Sequence, residues 1–251
     1  MKTFVISLKE SIDRRVLMEK LLLKHNISFS FFDAVNFATD KTGIIDKYDE
    51  KKTLRFKGYK LTHPEIGCFA SHILLWKLCV ELDEPIFILE DNIAFNGKLD
   101  KYIAFASKHI DQLGVIKFGS IFTRKYYLVK AIDDQISIIK YKNGACGTSS
   151  YIITPRIAQR YIDMSKTFYL PVDDFIDEEF ETDTAVYTFF PNLISRSLTS
   201  STIGKRKIKG PNQKMLSRVI IESNRVKKKI EQEKFNIKFK YNLLAKDEFG
   251  N

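Results

Sequence analysis

The run Pro85-Ile-Phe-Ile-Leu-Glu90-Asp91-Asn92 drives four apolar residues straight into two acids. With no polar alternation, Ile86 to Leu89 read as a strand buried on both faces, as in a parallel sheet. Ligands of open α/β sheets sit in the crevice beyond the carboxyl ends of such strands. Glu90 and Asp91 would emerge at that edge, where hard oxygen ligands can meet a metal ion and a phosphate. The competing reading is a pair of acids that ends a strand and opens a turn.

The elements that must position these acids follow from the pattern around them. Lys2 to Leu8 reads as a buried first strand. Ser11 can cap a helix that has Arg14 and Arg15 in its first turns and Val16, Leu17, Leu21 and Leu22 on its inner face. Ser28 to Phe32 is a second strand ending at Asp33, and residues 36–60 read as a long polar loop with a helical turn or two. Thr62 and Glu65 form a capping box before a helix from Pro64 to about Leu82. Ile66, Phe69, Ala70, Ile73, Leu74, Lys77 and Leu78 trace one face of it. Further on, a helix is expected near Leu99 to Lys108, a strand over Gly114 to Phe118, and a hairpin from Tyr126 to Tyr141 turning at Asp133-Asp134. A strand over Gly147 to Ile153 and a helix over Pro155 to Met164 follow. Such alternation predicts an α/β fold with a parallel or mixed sheet and helices on both faces.

In this order, several blocks resemble glycosyltransferase family 25, the bacterial lipooligosaccharide biosynthesis enzymes. They are Phe4-Val-Ile-Ser7-Leu8 with Arg14-Arg15, Phe31-Phe-Asp33-Ala34-Val35, and Leu61-Thr-His-Pro-Glu65-Ile-Gly67-Cys68-Phe-Ala-Ser71-His72. Leu89-Glu90-Asp91-Asn92, Lys117-Phe-Gly119, Gly147-Thr-Ser-Ser-Tyr151-Ile-Ile and Pro171-Val-Asp173 complete the set, which spans roughly residues 1–196, the size of one ordinary domain. The resemblance implies a GT-A-type, Rossmann-like fold, a UDP-sugar donor with UDP-galactose as first choice, and an inverting transfer to a growing lipooligosaccharide.

Each block also has its own physical reading. Ser7 and Arg14-Arg15 can lie at the nucleotide edge, where a guanidinium pairs with a diphosphate in bidentate fashion; for one of the two arginines a solvated helix face is the better reading. Asp33 is either a ribose or uracil acceptor or a turn residue. Ser71 and His72 can reach the donor phosphate or the acceptor, although a hydrogen-bonded structural histidine is the commoner outcome. Glu90-Asp91-Asn92 stands where the resembled family has Glu-Asp-Asp. Glu90 is assigned to the donor, and Asp91 and Asn92 to a Mn²⁺ or Mg²⁺ ion bridging the phosphates. Asn92 removes one negative charge, which weakens that ion's site and leaves open a homologue that binds nucleotide sugar but transfers poorly. An inverting transfer needs a carboxylate for the acceptor hydroxyl's proton. Asp173 is the first choice for that base and Asp174 the second, against a reading of Asp173 as a helix cap. The acids from Glu178 to Asp183 read as solvated charge.

The chain has 251 residues, 44% of them hydrophobic, enough to bury a full core. Its N-terminal apolar run is too short for a signal-peptide core, and no stretch approaches a membrane-spanning length. Three cysteines without CxxC spacing indicate neither a disulfide framework nor a zinc site, and fit a reduced, cytosolic compartment. The net charge of +10 is unevenly spread. Residues 201–251 hold 14 of the Lys and Arg and 5 of the Asp and Glu, a net of +9, leaving +1 for the first 200. A division follows into a catalytic domain over residues 1–200 and a basic helical C-terminal extension over 201–251. Within it, Lys205-Arg-Lys207-Ile-Lys209 is a basic cluster, and Met215, Val219, Val226 and Ile230 recur at helical spacing among Arg218, Arg225, Lys227, Lys228 and Lys229. Such a helix can lie on the anionic cytoplasmic face of an inner membrane, where a lipid-linked acceptor would be met, or pack on the domain. Phe235, Phe239 and Tyr241 lie among lysines, yet no nucleic-acid-binding motif is present, so no nucleic-acid partner is expected. Oligomeric state stays open.

Overall fold

The computed structural model describes residues 1–197, 208–209 and 215–245. In chain order the elements are β1 (Lys2–Ser7), α1 (Ile12–Lys24), β2 (Ser30–Asp33), a 3-10 turn (Ile45–Lys47), α2 (Glu50–Lys57), β3 (Tyr59–Lys60), α3 (His63–Leu82), β4 (Ile86–Glu90) and β5 (Ile93–Phe95). Then come α4 (Asp100–Leu113), β6 (Val115–Lys117), β7 (Tyr126–Ala131), β8 (Ser137–Tyr141), β9 (Ser150–Ile153), α5 (Pro155–Met164), α6 (Val172–Asp177) and α7 (Glu179–Thr182). The last are β10 (Tyr187–Phe190), β11 (Ile194–Arg196), β12 (Ile208–Lys209) and α8 (Met215–Ala245).

Eight strands form one mixed sheet in the order β2-β1-β4-β9-β6-β10-β8-β7. β1 runs parallel to both β2 and β4, so their carboxyl ends share one edge, while β9 pairs antiparallel with β4 and β6. The apolar run before Glu90 is the reason the sheet sits at the centre. Along β4, Ile86 and Ile88 enter the core beneath α3 and α5, and Phe87 and Leu89 enter the one beneath α1 and α4. β6 and β9 divide their side chains the same way, with Val115, Tyr151 and Ile153 on one face and Ile116 and Ile152 on the other. Strands with two covered faces need no polar alternation.

α3 begins as its sequence dictates: the Thr62 hydroxyl accepts the Glu65 N–H at 3.3 Å and the Glu65 carboxylate accepts the Thr62 N–H at 2.8 Å. Gly67 on this helix has a packing reason. A Cβ there would stand 2.5 Å from the Val35 carbonyl oxygen, so only glycine lets the chain after β2 lie against α3.

Several expectations are corrected. The buried residues of α1 are Met18 and Leu22, whereas Val16 and Leu17 are exposed, because the helix turns the register through 18 and 22 toward the sheet. Lys77 lies outside the buried face of α3, which instead includes Leu75, Trp76 and Cys79. Residues 36–60 are more ordered than a loop, with α2 capped by Asp49 and closed by Gly58 in the left-handed region.

The C-terminal helix α8 has two faces. One packs on the body against α2, α7 and the β7–β8 edge, burying Ile221, Gln232, Asn236 and Phe239. Lys140, fully buried on β8, holds Glu179 Oε2 at 2.7 Å, and donates to Asn236 Oδ1 at 2.8 Å and to the Tyr141 carbonyl at 3.0 Å. Gln232 donates to Glu179 and Asn236 donates to the Lys142 carbonyl, each at 2.8 Å. The predicted stripe of Val219, Val226 and Ile230 faces away from the body and continues through Ile237 and Tyr241. Lys205, Arg206 and Lys207 lie outside the described residues, as does the Met215 side chain.

Candidate active site

The parallel register brings the chemistry to one place. Ser7 pairs with Asp33, and Ile6 with Glu90, so the ends of β1, β2 and β4 meet at the same edge of the sheet. There a cavity of about 240 Å³ is lined by Ser7, Arg14, Ser71 and residues 90–92, with residues 34–38 and His63-Pro64 forming the opposite wall. The Phe37 and His63 rings stack there at 3.8 Å.

Within the cavity, Asp91 is fully engaged. Its Oδ1 accepts the Arg14 guanidinium at 2.8 Å and its Oδ2 accepts the Ser7 hydroxyl at 2.7 Å. The Asn92 side-chain oxygen is buried and has no hydrogen-bond partner among the described residues. A hard divalent ion needs several oxygen ligands; of the two residues assigned to it, Asp91 is already neutralised by Arg14 and only Asn92 offers an unpartnered oxygen. As arranged, Asp91 and Asn92 do not fit the ion assigned to them.

Arg15 has another task. It donates to the Ser7 and Leu8 carbonyls at 2.9 and 3.2 Å and to Asp33 at 2.5 Å, and lies over the Phe31 ring. It clasps the ends of β1 and β2, while Arg14 faces the cavity. Asp33 lies outside the cavity lining, with its side chain largely exposed. Ser71 is used to brace that wall: its oxygen accepts the Val35 N–H and its hydroxyl donates to the Gly67 carbonyl, both at 2.8 Å. His72 lies beneath, fully buried, with Nδ1 2.7 Å from the Tyr151 hydroxyl, which also accepts the Trp76 N–H at 2.9 Å. Its Nε2 has no partner among the described residues, and burial pushes its pKa down to about 3.

Glu90 separates this cavity from a smaller cleft lined by Glu65, Cys68, Thr148, Asp173 and Arg196. It accepts the Thr148 hydroxyl at 3.2 Å. Burial holds its pKa above the ordinary carboxylate range, against the pull of the Arg196 charge. Asp173 is buried in that cleft, within the first turn of α6, and accepts the Asp174 N–H at 3.0 Å. Asp174 turns away and pairs with Lys57 at 2.7 Å. Thus Ser7, Arg14, Ser71, Glu90, Asp91 and Asn92 meet in one cavity, Asp173 joins from the adjoining cleft, and Arg15, Asp33 and Asp174 are committed elsewhere. Sequence reasoning gave no role to Arg196, brought in by the antiparallel pairing of Arg196 with Ile93, nor to Thr148. Cys68, given no role by its spacing from the other cysteines, lines both cavities. Its position four residues before His72 was the available signal.

Against known proteins, the family model described as glycosyltransferase family 25 (LPS biosynthesis protein) matches residues 1–176. The lipooligosaccharide biosynthesis protein lic2B of Haemophilus influenzae is 31% identical over 160 residues, covering 60% of this chain and 58% of that protein. A putative glycosyltransferase of H. influenzae strain Rd is 31% identical over 185 residues, covering 70% and 63%. Human procollagen galactosyltransferase 2 is 27% identical over 189 residues, covering 69% of this chain and 29% of its own length. The chain therefore spans less than two thirds of each of these relatives.

Proposed function

Because the chain belongs to glycosyltransferase family 25, we propose that it moves a hexose from a UDP-sugar to a saccharide acceptor, with inversion at the anomeric carbon. The observation that carries the reading is the convergence of Ser7, Arg14 and residues 90–92 on a cavity at the carboxyl edge of the parallel strands. Crevices of this kind hold nucleotides in open α/β sheets. The uracil ring enters against the wall of residues 34–38, and the diphosphate lies over Ser7 and Arg14. The sugar is directed toward Glu90.

Asp173 is the base. It takes the proton of the acceptor hydroxyl as that oxygen attacks the anomeric carbon, and UDP departs from the opposite face of the ring. Arg196, whose buried Nε is unpartnered among the described residues, lines the cleft with Asp173 and Glu90 and favours in their carboxylates the charged form that a proton acceptor needs. Galactose as the hexose is favoured by the name of the human relative, and a lipooligosaccharide acceptor by that of lic2B. The exposed apolar stripe of α8 among its basic residues suits the anionic cytoplasmic leaflet, where such an acceptor is presented. Among the described residues no helix is long and apolar enough to cross a membrane.

A second reading has its own observation. The Arg14–Asp91 pair together with Asn92 leaves a weak site for a hard cation, which suits a protein that binds the nucleotide sugar and transfers poorly. Calorimetric binding and hydrolysis of UDP-galactose and UDP-glucose, with Mn²⁺, Mg²⁺ or EDTA, separates the two. Binding with turnover that Asp173→Asn abolishes supports the transferase, and binding without turnover supports the second reading. No binding of either nucleotide sugar refutes both.

A further inference from the structure

We infer that Cys68, His72 and Glu90 form a site for one thiophilic divalent cation, zinc by chemical class, at the floor of the main cavity. One potential ligand atom from each residue lies within 4.8 Å of the others. Cys68 and His72 stand one turn apart on α3, on the same face, as residues four apart on a helix must. Glu90 meets them from the end of β4. Bonds of 2.0–2.3 Å place tetrahedral ligand atoms roughly 3.3–3.8 Å apart, so side-chain adjustments of about 1 Å close the site.

Three features point to a ligand rather than to packing. The fully buried His72 carries a ring nitrogen, Nε2, with no partner among the described residues, while its Nδ1 faces the Tyr151 oxygen. A metal-bound histidine has this arrangement, its second nitrogen donating to a fixed oxygen that sets the tautomer. Tyr151 is itself held by the Trp76 N–H. Next, Cys68 and Glu90 come from different elements to the same poorly solvated spot, and on metal binding each gives up its proton, so that together they neutralise a dication. Last, both Cys68 and Glu90 line the cavity, so the fourth coordination position opens toward bound ligand, the pattern of catalytic rather than structural zinc sites. A sulfur, a nitrogen and an oxygen donor select zinc or cobalt over magnesium or calcium.

The site makes no demand on the sugar-transfer reading, and its test uses no sugar nucleotide. Full-length protein stripped with chelator is titrated with Co²⁺ and followed by absorbance, then with Zn²⁺ in competition with a colorimetric chelator. The expected results are one equivalent bound, a near-ultraviolet thiolate-to-cobalt charge-transfer band, and loss of that band in Cys68→Ser. His72→Gln and Glu90→Gln weaken Zn²⁺ more than Tyr151→Phe, which costs about 10- to 100-fold through loss of orientation. Should Cys68→Ser fail to fold, alkylation of the wild type, read by mass spectrometry at each cysteine, reports the same site: Zn²⁺ protects Cys68. Absence of the charge-transfer band in the wild type, its persistence in folded Cys68→Ser, or equal alkylation of Cys68 with and without Zn²⁺ overturns the assignment. Binding of UDP-sugar by the chelator-stripped protein is scored separately, so failure of one reading leaves the other standing.

Discussion

Replacing Asn236 by alanine tests whether α8 is part of the folded body. Asn236 is fully buried and serves three groups: it accepts from the Lys140 ammonium at 2.8 Å, donates to the Lys142 carbonyl at 2.8 Å, and accepts from Gln232 at 3.3 Å. Asn236→Ala leaves the Lys140 ammonium with Glu179 and one carbonyl, and leaves the Lys142 carbonyl unpaired. A hydrogen bond to a buried charge is worth about 1.5–3 kcal/mol, and taking its partner from the half-buried Lys142 carbonyl costs about 1–2 kcal/mol, the lower part of the range for an orphaned acceptor. The sum is roughly 3–5 kcal/mol, a large share of the ~5–15 kcal/mol that holds an ordinary domain folded. With urea slopes near ~2–3 kcal/mol per molar, the unfolding midpoint followed by circular dichroism falls by about 1–2 M. Lys240→Ala, on the exposed side of the same helix, changes stability by less than about 0.5 kcal/mol. Glu179→Gln breaks the buried pair and is at least as damaging as Asn236→Ala, whereas Lys140→Met with Glu179→Gln recovers most of the loss. A midpoint shift equivalent to under about 1 kcal/mol for Asn236→Ala would refute the docking of α8 and the reasoning built on it.

Three further outcomes are expected. His72 has its folded pKa near 3 against an ordinary 6.5, so the unfolded chain takes up a proton that the native one refuses. Stability from this group is complete above about pH 6.5 and falls by up to about 1.4 kcal/mol per unit as pH drops toward 3; in EDTA, urea midpoints of His72→Gln between pH 7 and 5 fall less steeply than those of the wild type, and equal slopes would contradict the burial argument. Gly67→Ala forces a Cβ against the Val35 carbonyl oxygen at 2.5 Å, costing about 1–3 kcal/mol and shifting the wall of residues 34–38, so both melting temperature and UDP-galactose affinity drop; an unchanged affinity would remove that wall from the binding site. Asn92→Asp places a third acid beside Glu90 and Asp91, where the Asn92 oxygen lies buried and unpartnered among the described residues, so it melts lower than the wild type in EDTA and gains more from Mn²⁺. Equal Mn²⁺ responses would exclude residue 92 as a ligand position.

Local rules were enough for much of the scaffold. The unalternating run before Glu90 gave a central strand, Thr62 and Glu65 gave the start of α3, and Asp133-Asp134 lay at the turn of β7 and β8, because strand burial, helix capping and turn formation depend on neighbours within a few residues. Spacing alone left two faces open on α8: the stripe of Met215, Val219, Val226 and Ile230 suited either a membrane or the domain, and the helix packs through Ile221, Phe239 and the polar Gln232 and Asn236. What buries them is the Lys140–Glu179 pair contributed by β8 and α7, which no periodicity within the helix can show.

The candidate site divides along the same line. The sequence by itself determined the membership of the cavity floor, since Ser7, Glu90 and Asp91 sit at the ends of strands whose burial is written in their composition. Only the tertiary structure decided what each residue is free to do. The parallel register carries Arg14 against Asp91, so a carboxylate read as a metal ligand is spent on an ion pair across 77 residues of chain. The same packing sets Glu90 beside Cys68 and His72, a grouping without zinc-like spacing because its third member arrives on a different element. Side-chain type is a local property, but charge balance and ligand geometry are sums over whatever the fold brings within a few ångströms.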